Sequence, residues 1–183
     1  MSDIVIISGT TSYESRTNAV LNYLGEQVKQ EELSVSEISV LDINPTVLIQ
    51  GKYDDPSIVK IIDTIQKAKG VIIASPVYKA AYTGALKTLL DLLPQDILKY
   101  KPIYPLMVGG SQAHLLAIDY SFKPLLAALQ AQTILRGVYL TDDTIDKLNV
   151  IKPITDEKLE ERVNEQLREF LVLTRSLTQY SNR

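Results

Sequence analysis

Short apolar runs, each followed by a stretch with helical spacing, recur along this chain and constrain its fold more than any other feature. The runs lie at 3–8 (DIVIIS), 35–41 (VSEISVL), 71–75 (VIIAS), 103–108 (IYPLMV) and 133–140 (TILRGVYL). A run that is continuous rather than alternating marks a strand buried on both faces. Between the runs, Ala19, Val20, Leu24 and Val28 predict a helix from Ser15 to about Lys29. Ile58, Ile61, Ile62 and Ile65 predict a second from Ser57 to Lys69, with Gly70 as its stop. Further helices are expected over 84–93, closed by Pro94, over about 112–131, and over about 155–178. The stretch 42–56, with Asn44-Pro45, Gly51 and Asp54-Asp55-Pro56, is expected to be a long loop. Pro105 is awkward inside a strand.

This alternation predicts an α/β fold, a three-layer sandwich with a five-stranded parallel sheet and helices on both faces, in one domain over 1–183. A sheet order of 2-1-3-4-5 makes the first, third and fourth strands neighbours. Ligands of such sheets bind beyond the carboxyl ends of the strands.

Composition narrows the chemistry. With no cysteine, thiolate nucleophiles, disulfides and Cys-ligated metals are excluded, and the single histidine, His114, excludes a His-rich metal site. His114 is best explained as a helix or interface residue. The net charge of −3 argues against nucleic acid as a partner. No apolar run approaches the ~20 residues of a membrane span, and the N-terminus carries no signal-peptide pattern, so a soluble, cytoplasmic protein is expected.

Three loops at strand ends carry unusual composition. The first, Gly9 to Thr17, is dense in hydroxyls and opens a helix, whose free N–H groups and partial positive charge suit a phosphate. Arg16 in the first helical turn opposes the helix dipole, a conflict that a bound dianion would reverse; pairing with Glu14 or Glu26 is the bland alternative. Neither a Walker A motif nor G-x-G-x-x-G is present. The second loop, Pro76 to Gly84, offers small residues and two tyrosines to a flat ring, or else a packed turn at a dimer interface. The third, Gly109-Gly110-Ser111, offers bare backbone.

Together these segments resemble the NADPH-dependent FMN reductases of alkanesulfonate utilisation. The resemblance, carried also by GGSQAHLLAIDYSFKPLLAAL, spans about residues 3–140 and is most specific in PVYKAAYTGALKTLLDLLP. The family pattern Gly-Ser-x-Arg-x-x-Ser appears here as Gly9-Thr10-Thr11-Ser12-Tyr13-Glu14-Ser15, so Ser12 replaces the family arginine and one cationic phosphate contact is lost. The resemblance implies a flavodoxin-like fold and a homodimer or homotetramer. It implies that Thr10, Ser15, Arg16 and Thr17 hold the FMN phosphate. Pro76, Val77, Tyr78 and Lys79 would contact the isoalloxazine ring, and Gly109, Gly110 and Ser111 its pyrimidine edge.

Hydride transfer from NADPH or NADH to FMN needs no protein nucleophile, which agrees with the lack of cysteine. The resemblance implies that reduced flavin feeds a separate monooxygenase acting on alkanesulfonates. A quinone or azo reductase with tightly bound FMN, and a flavodoxin-type electron carrier, are the alternatives. Pro124 lacks an N–H, so the carbonyl of Tyr120 loses its i+4 donor and a kink or a π-bulge is expected there; the resemblance implies that Tyr120 is an insertion that makes a π-helical turn. By resemblance, Tyr120 lies at an oligomer interface. The helix over 112–131 is apolar nearly all round, so one side should be buried by another subunit.

Overall fold

The computed structural model describes residues 2–181, and the side chains of 2–177. Strand β1 (Ile4–Ser8) is flanked by β2 (Val35–Ser39) and β3 (Gly70–Pro76), and β3 by β4 (Pro102–Gly109). The far edge holds two short strands, β5 (Thr133–Ile134) and β6 (Val138–Thr141), both paired with β4. All pairings are parallel and the order is β2-β1-β3-β4-β5, with β6 beside β4.

Alternate residues of the central strands enter two separate cores. Val5, Ile7, Val71, Ile73, Ile103 and Met107 pack under α3 (Pro56–Lys67), α4 (Gly84–Leu90) and α5 (Lys123–Ala128). The short α2 (Pro45–Ile49) joins this face through Val47 and Leu48. Ile4, Ile6, Ile72, Ala74, Tyr104 and Leu106 pack under α1 (Arg16–Gln30) and α6 (Glu157–Ser181). Each such fully buried aliphatic contributes about 1.5–3 kcal/mol. The central strands are therefore apolar on both sides, which is why their sequence runs do not alternate.

Several sequence expectations need correction. Gly70 does not end a helix: α3 ends at Lys67 with Ala68 as its cap, and Gly70 begins β3. Its lack of a side chain instead admits α6, because a Cβ there would lie 2.7 Å from Phe170 Cζ and 2.8 Å from Thr174 Oγ1. The expected loop over 42–56 contains α2, started by Asn44 as N-cap with Pro45 in its first turn. The helix after Gly84 ends at Leu90, before Pro94.

The fifth run is not one strand. It breaks at 135–137, and Pro105 explains the break. Ile103 accepts a 2.9 Å bond from the N–H of Leu135, so Ile103 faces the β5 side of β4. Alternate strand residues face alike, which turns the N–H-free side of Pro105 toward the same edge. Gly137, at φ +76, passes so close there that a Cβ would lie 2.5 Å from the Pro105 carbonyl. A proline is tolerated in this strand because the neighbouring strand is interrupted opposite it.

The expected helix over 112–131 is likewise divided. A 3-10 turn (Gln112–His114) is followed by a π-helical turn (Ile118–Phe122) and then α5. The N–H of Lys123 reaches back to the carbonyl of Ile118, five residues earlier, so of the kink and the π-bulge expected near Tyr120 the structure contains the π-bulge. Asp119 and Lys123 span the turn with a 2.6 Å ion pair. Tyr120 is thrust outward and is 80% exposed.

Candidate active site

The loops after β1, β3 and β4 converge at the carboxyl end of the sheet, because those strands are adjacent. They enclose a crevice of about 250 Å³. Thr10, Ser15, Arg16 and Thr17 line it from the first loop, Pro76, Val77 and Tyr78 from the second, and Gly109 and Gly110 from the third. Nine of the eleven residues singled out for a ligand in the sequence thus meet in one cavity. Lys79 and Ser111 do not line it.

The first loop is built around the start of α1. Ser15 caps the helix by accepting the N–H of Asn18 at 3.1 Å. The first intrahelical bond runs from Ala19 to Ser15, which leaves the N–H groups of Arg16 and Thr17 free. No acidic residue occupies the first helical turn. Arg16 makes no ion pair among the described residues, and Glu26 is engaged by Lys29 at 2.7 Å, so the bland pairing with Glu26 is not what the structure contains. Asn18 braces the loop from below: it accepts from Ser8 Oγ at 2.6 Å and donates to the Tyr13 carbonyl at 3.0 Å. Tyr13 reaches over to Asp42 at 2.9 Å, and that bond raises its phenol above the usual value.

The second loop is locked to the first by buried hydroxyls. Thr83 caps α4, accepting from the N–H of Leu86 at 3.0 Å, and donates to the Gly9 carbonyl at 2.6 Å. Ser75 accepts from the N–H of Thr83 at 3.0 Å and donates to the Pro76 carbonyl at 2.9 Å. Gly9 has no room for a Cβ, which would lie 2.8 Å from Leu86 Cβ. The tip is a tight turn closed by bonds between Tyr78 and Ala81. Its central residues, Lys79 (φ 52) and Ala80 (φ 63), are both left-handed without being glycine. Each costs about 1–2 kcal/mol, a strain typical of functional loops.

At the third loop, Gly109 lies against Tyr139, and a Cβ would overlap the Tyr139 hydroxyl. Tyr139 donates to the Ser111 carbonyl at 2.6 Å. Burial, and then Asp142, push its phenol above the usual value, which keeps it protonated as a donor. Gly110 is open: a Cβ there would meet only Asp142 Oδ2, at 3.8 Å. His114 is exposed, in the 3-10 turn outside the crevice.

Sequence reasoning missed one carboxylate of the crevice wall, Asp142, and offered the other, Glu14, only as a partner for Arg16, with which it makes no ion pair among the described residues. It also missed the braces Asn18, Ser75, Thr83 and Tyr139. A hydroxyl directly before the helix-opening Gly84 was the one available signal, for Thr83 as N-cap. The crevice therefore combines free helix N–H groups and one cation at one end with bare backbone and a carboxylate at the other. That arrangement fits a ligand with an anionic tail and a flat polar head. Among the described residues, no helix is long and apolar enough to cross a membrane.

Comparison with known proteins points the same way. The family model for NADPH-dependent FMN reductase matches residues 2–145. An FMN reductase (NADPH) of Escherichia coli K12 is 42% identical over 142 residues, covering 78% of this chain and 74% of the relative. Another of that description, from Pseudomonas putida KT2440, is 37% identical over 170 residues, covering 92% and 86%. Among solved structures, the apo form of an NADH:FMN oxidoreductase superposes with a TM-score of 0.83 at 32% identity, over 93% of this chain and 88% of that one.

Proposed function

This chain belongs to the NADPH-dependent FMN reductase family and is an NAD(P)H:FMN oxidoreductase; from that premise we propose that FMN is an exchangeable substrate, bound oxidised and released reduced to a separate flavin-dependent monooxygenase of the alkanesulfonate-oxidising kind. In this reading Thr10, Ser15, Arg16, Thr17 and the free N–H groups of α1 hold the phosphoryl tail. Pro76, Val77 and Tyr78 wall the ring, Gly109 and Gly110 meet its pyrimidine edge, and Ser111 and Lys79 act from just outside the wall. Bound FMN supplies the acceptor for a nicotinamide hydride, so the protein's task is to hold both rings in contact and keep them oriented.

The observation that carries the exchangeable reading is the charge of the crevice. Arg16 is the one cation among the lining residues, against the two carboxylates Glu14 and Asp142. Two carboxylates against one cation weaken the electrostatic hold on a dianionic phosphate, whose remaining partners are hydroxyls and helix N–H groups. Asp142 beside Gly110 also opposes the negative charge that arrives with the hydride, which favours release after reduction. The cavity, at about 250 Å³, falls below the ~300–1,000 Å³ common for engulfed ligands, so the flavin would stay partly open to solvent.

Leu116, just before the π-helical turn, and Tyr120, within it, stand exposed. We assign this face to the contact between copies in a homodimer or homotetramer. The working compartment in this reading is the cytoplasm, which supplies reduced nicotinamide.

Two measurements test the proposal. The purified protein should be colourless, and anaerobic NADPH or NADH should bleach added FMN through many turnovers. Asp142→Asn should retain FMN through gel filtration better than the parent. A yellow parent with stoichiometric FMN would sink the exchangeable reading in favour of a resident-flavin reductase.

A further inference from the structure

Beside the flavin crevice lies a larger cleft of about 470 Å³, between the 112–122 segment and the start of α6. The two share a wall. Tyr139 lines the cleft, while its hydroxyl packs on Gly109 of the crevice and donates to the Ser111 carbonyl.

Three cations meet in this cleft: Arg136 from the break between β5 and β6, and Lys158 and Arg162 one turn apart on α6. Among the described residues none of the three has an ion-pair partner. The two carboxylates that also line the cleft are already engaged. Asp119 is held by Lys123 at 2.6 Å, and Asp156 accepts the N–H of Leu159 at 2.9 Å in the first turn of α6. A backbone bond does not neutralise Asp156, so three unpaired cations against one unpaired carboxylate leave the cleft net positive. Leu115, Ile118 and Leu159 supply apolar wall beside it. Cations next to a flat apolar surface suit a phosphorylated nucleoside.

The opposite flank of the crevice offers a contrast. The cavity there, between α1 and β2, is lined by Glu37 and Asp42 and by no cation. Of these two flanks, charge favours the Tyr139 side for the phosphorylated adenosine end of a dinucleotide whose nicotinamide reaches the flavin.

We propose that the Arg136–Lys158–Arg162 cleft takes the adenosine 2′-phosphate of NADPH and makes this enzyme prefer NADPH to NADH. This rests on the reductase reading above. NADH lacks the phosphate and would gain little from the three cations.

The test uses the full chain and the exposed substitutions Arg136→Gln, Lys158→Gln and Arg162→Gln. Adenosine 2′,5′-bisphosphate should bind the flavin-free protein in calorimetry and compete with NADPH, while adenosine 5′-monophosphate binds at least tenfold more weakly. Each substitution should lower the NADPH/NADH ratio of kcat/KM about tenfold, as the loss of one charge-assisted bond does, and the triple variant about a hundredfold or more. Equal binding of the two probes, or a triple variant with the parental ratio, overturns the proposal even where FMN reduction proceeds normally. If the bisphosphate binds as expected but neither nucleotide reduces FMN, the cleft stands and the reductase reading fails.

Discussion

The Thr83 hydroxyl donates a 2.6 Å hydrogen bond to the carbonyl of Gly9, tying the start of α4 to the end of β1. Both groups are buried and the same hydroxyl caps α4. Thr83→Val removes the cap and leaves the Gly9 carbonyl and the Leu86 N–H without partners. The expected loss is about 2–3 kcal/mol, read as a lower urea midpoint at unchanged m-value, with Thr83→Ser restoring most of it.

Among the described residues Arg16 is the one cation lining the crevice, so Arg16→Gln should raise the KM for FMN about tenfold, the worth of a charge-assisted bond to phosphate. Riboflavin, which lacks the phosphate, provides the control: with riboflavin as acceptor the parent and variant should have the same KM. An equal rise for both flavins would place Arg16 elsewhere.

Gly109 and Tyr139 should be energetically coupled. Gly109→Ala drives a methyl into the Tyr139 hydroxyl, and the expected result is a destabilised protein with weakened FMN affinity. In Tyr139→Phe the overlapping oxygen is gone, so the double variant should recover part of the loss. A thermal-unfolding double-mutant cycle should give a coupling of about 1 kcal/mol, and additivity would refute the contact.

A pH effect is expected at the other end of the sheet. Asp3 accepts from Lys69 at 2.7 Å and from the N–H and hydroxyl of Ser34 at 2.9 and 2.6 Å. These contacts, Lys69 first, hold its carboxyl well below the usual carboxylate range. Its stabilisation is therefore complete above the unfolded-state value of roughly 3.9 and is lost as pH falls from there toward the folded value. Asp3→Asn should cost about 1–2 kcal/mol at pH 7. The gap between variant and parent in chemical denaturation should narrow steadily below about pH 4.

Tyr120→Ala should lower the molecular mass seen by light scattering at micromolar concentration while far-UV circular dichroism stays unchanged. Retention of the parental mass would exclude the π-helical face as the contact between copies.

The strands, and the unusual loops at three of their ends, were legible because they follow from short-range signals, whereas the sheet order that brings those loops to one crevice was assumed as that of a flavodoxin-like fold. Continuous Ile/Val runs mark doubly buried strands, and Pro124 announces a kink or a π-bulge through one missing N–H. Boundaries set by long-range contact were not legible. Gly70 resembles a helix stop until Phe170 is seen packed on it, and the break in the run 133–140 depends on Pro105, some thirty residues away. Asp142 escaped notice for the same reason: nothing local to it says that β6 delivers it beside Gly110. The cationic cleft joins Arg136 to a helix more than twenty residues later, a juxtaposition no window of sequence contains.

The break between β5 and β6 also bears on how the chain behaves before and outside its native assembly. A long flat outer strand would expose an unbroken row of amide and carbonyl groups, a ready template for intermolecular β-pairing. Here that row is two residues, a kink at Gly137, and four more residues. A foreign strand would lose register across this edge, so the pairing of Pro105 with the Gly137 kink makes it a poor template for intermolecular β-pairing.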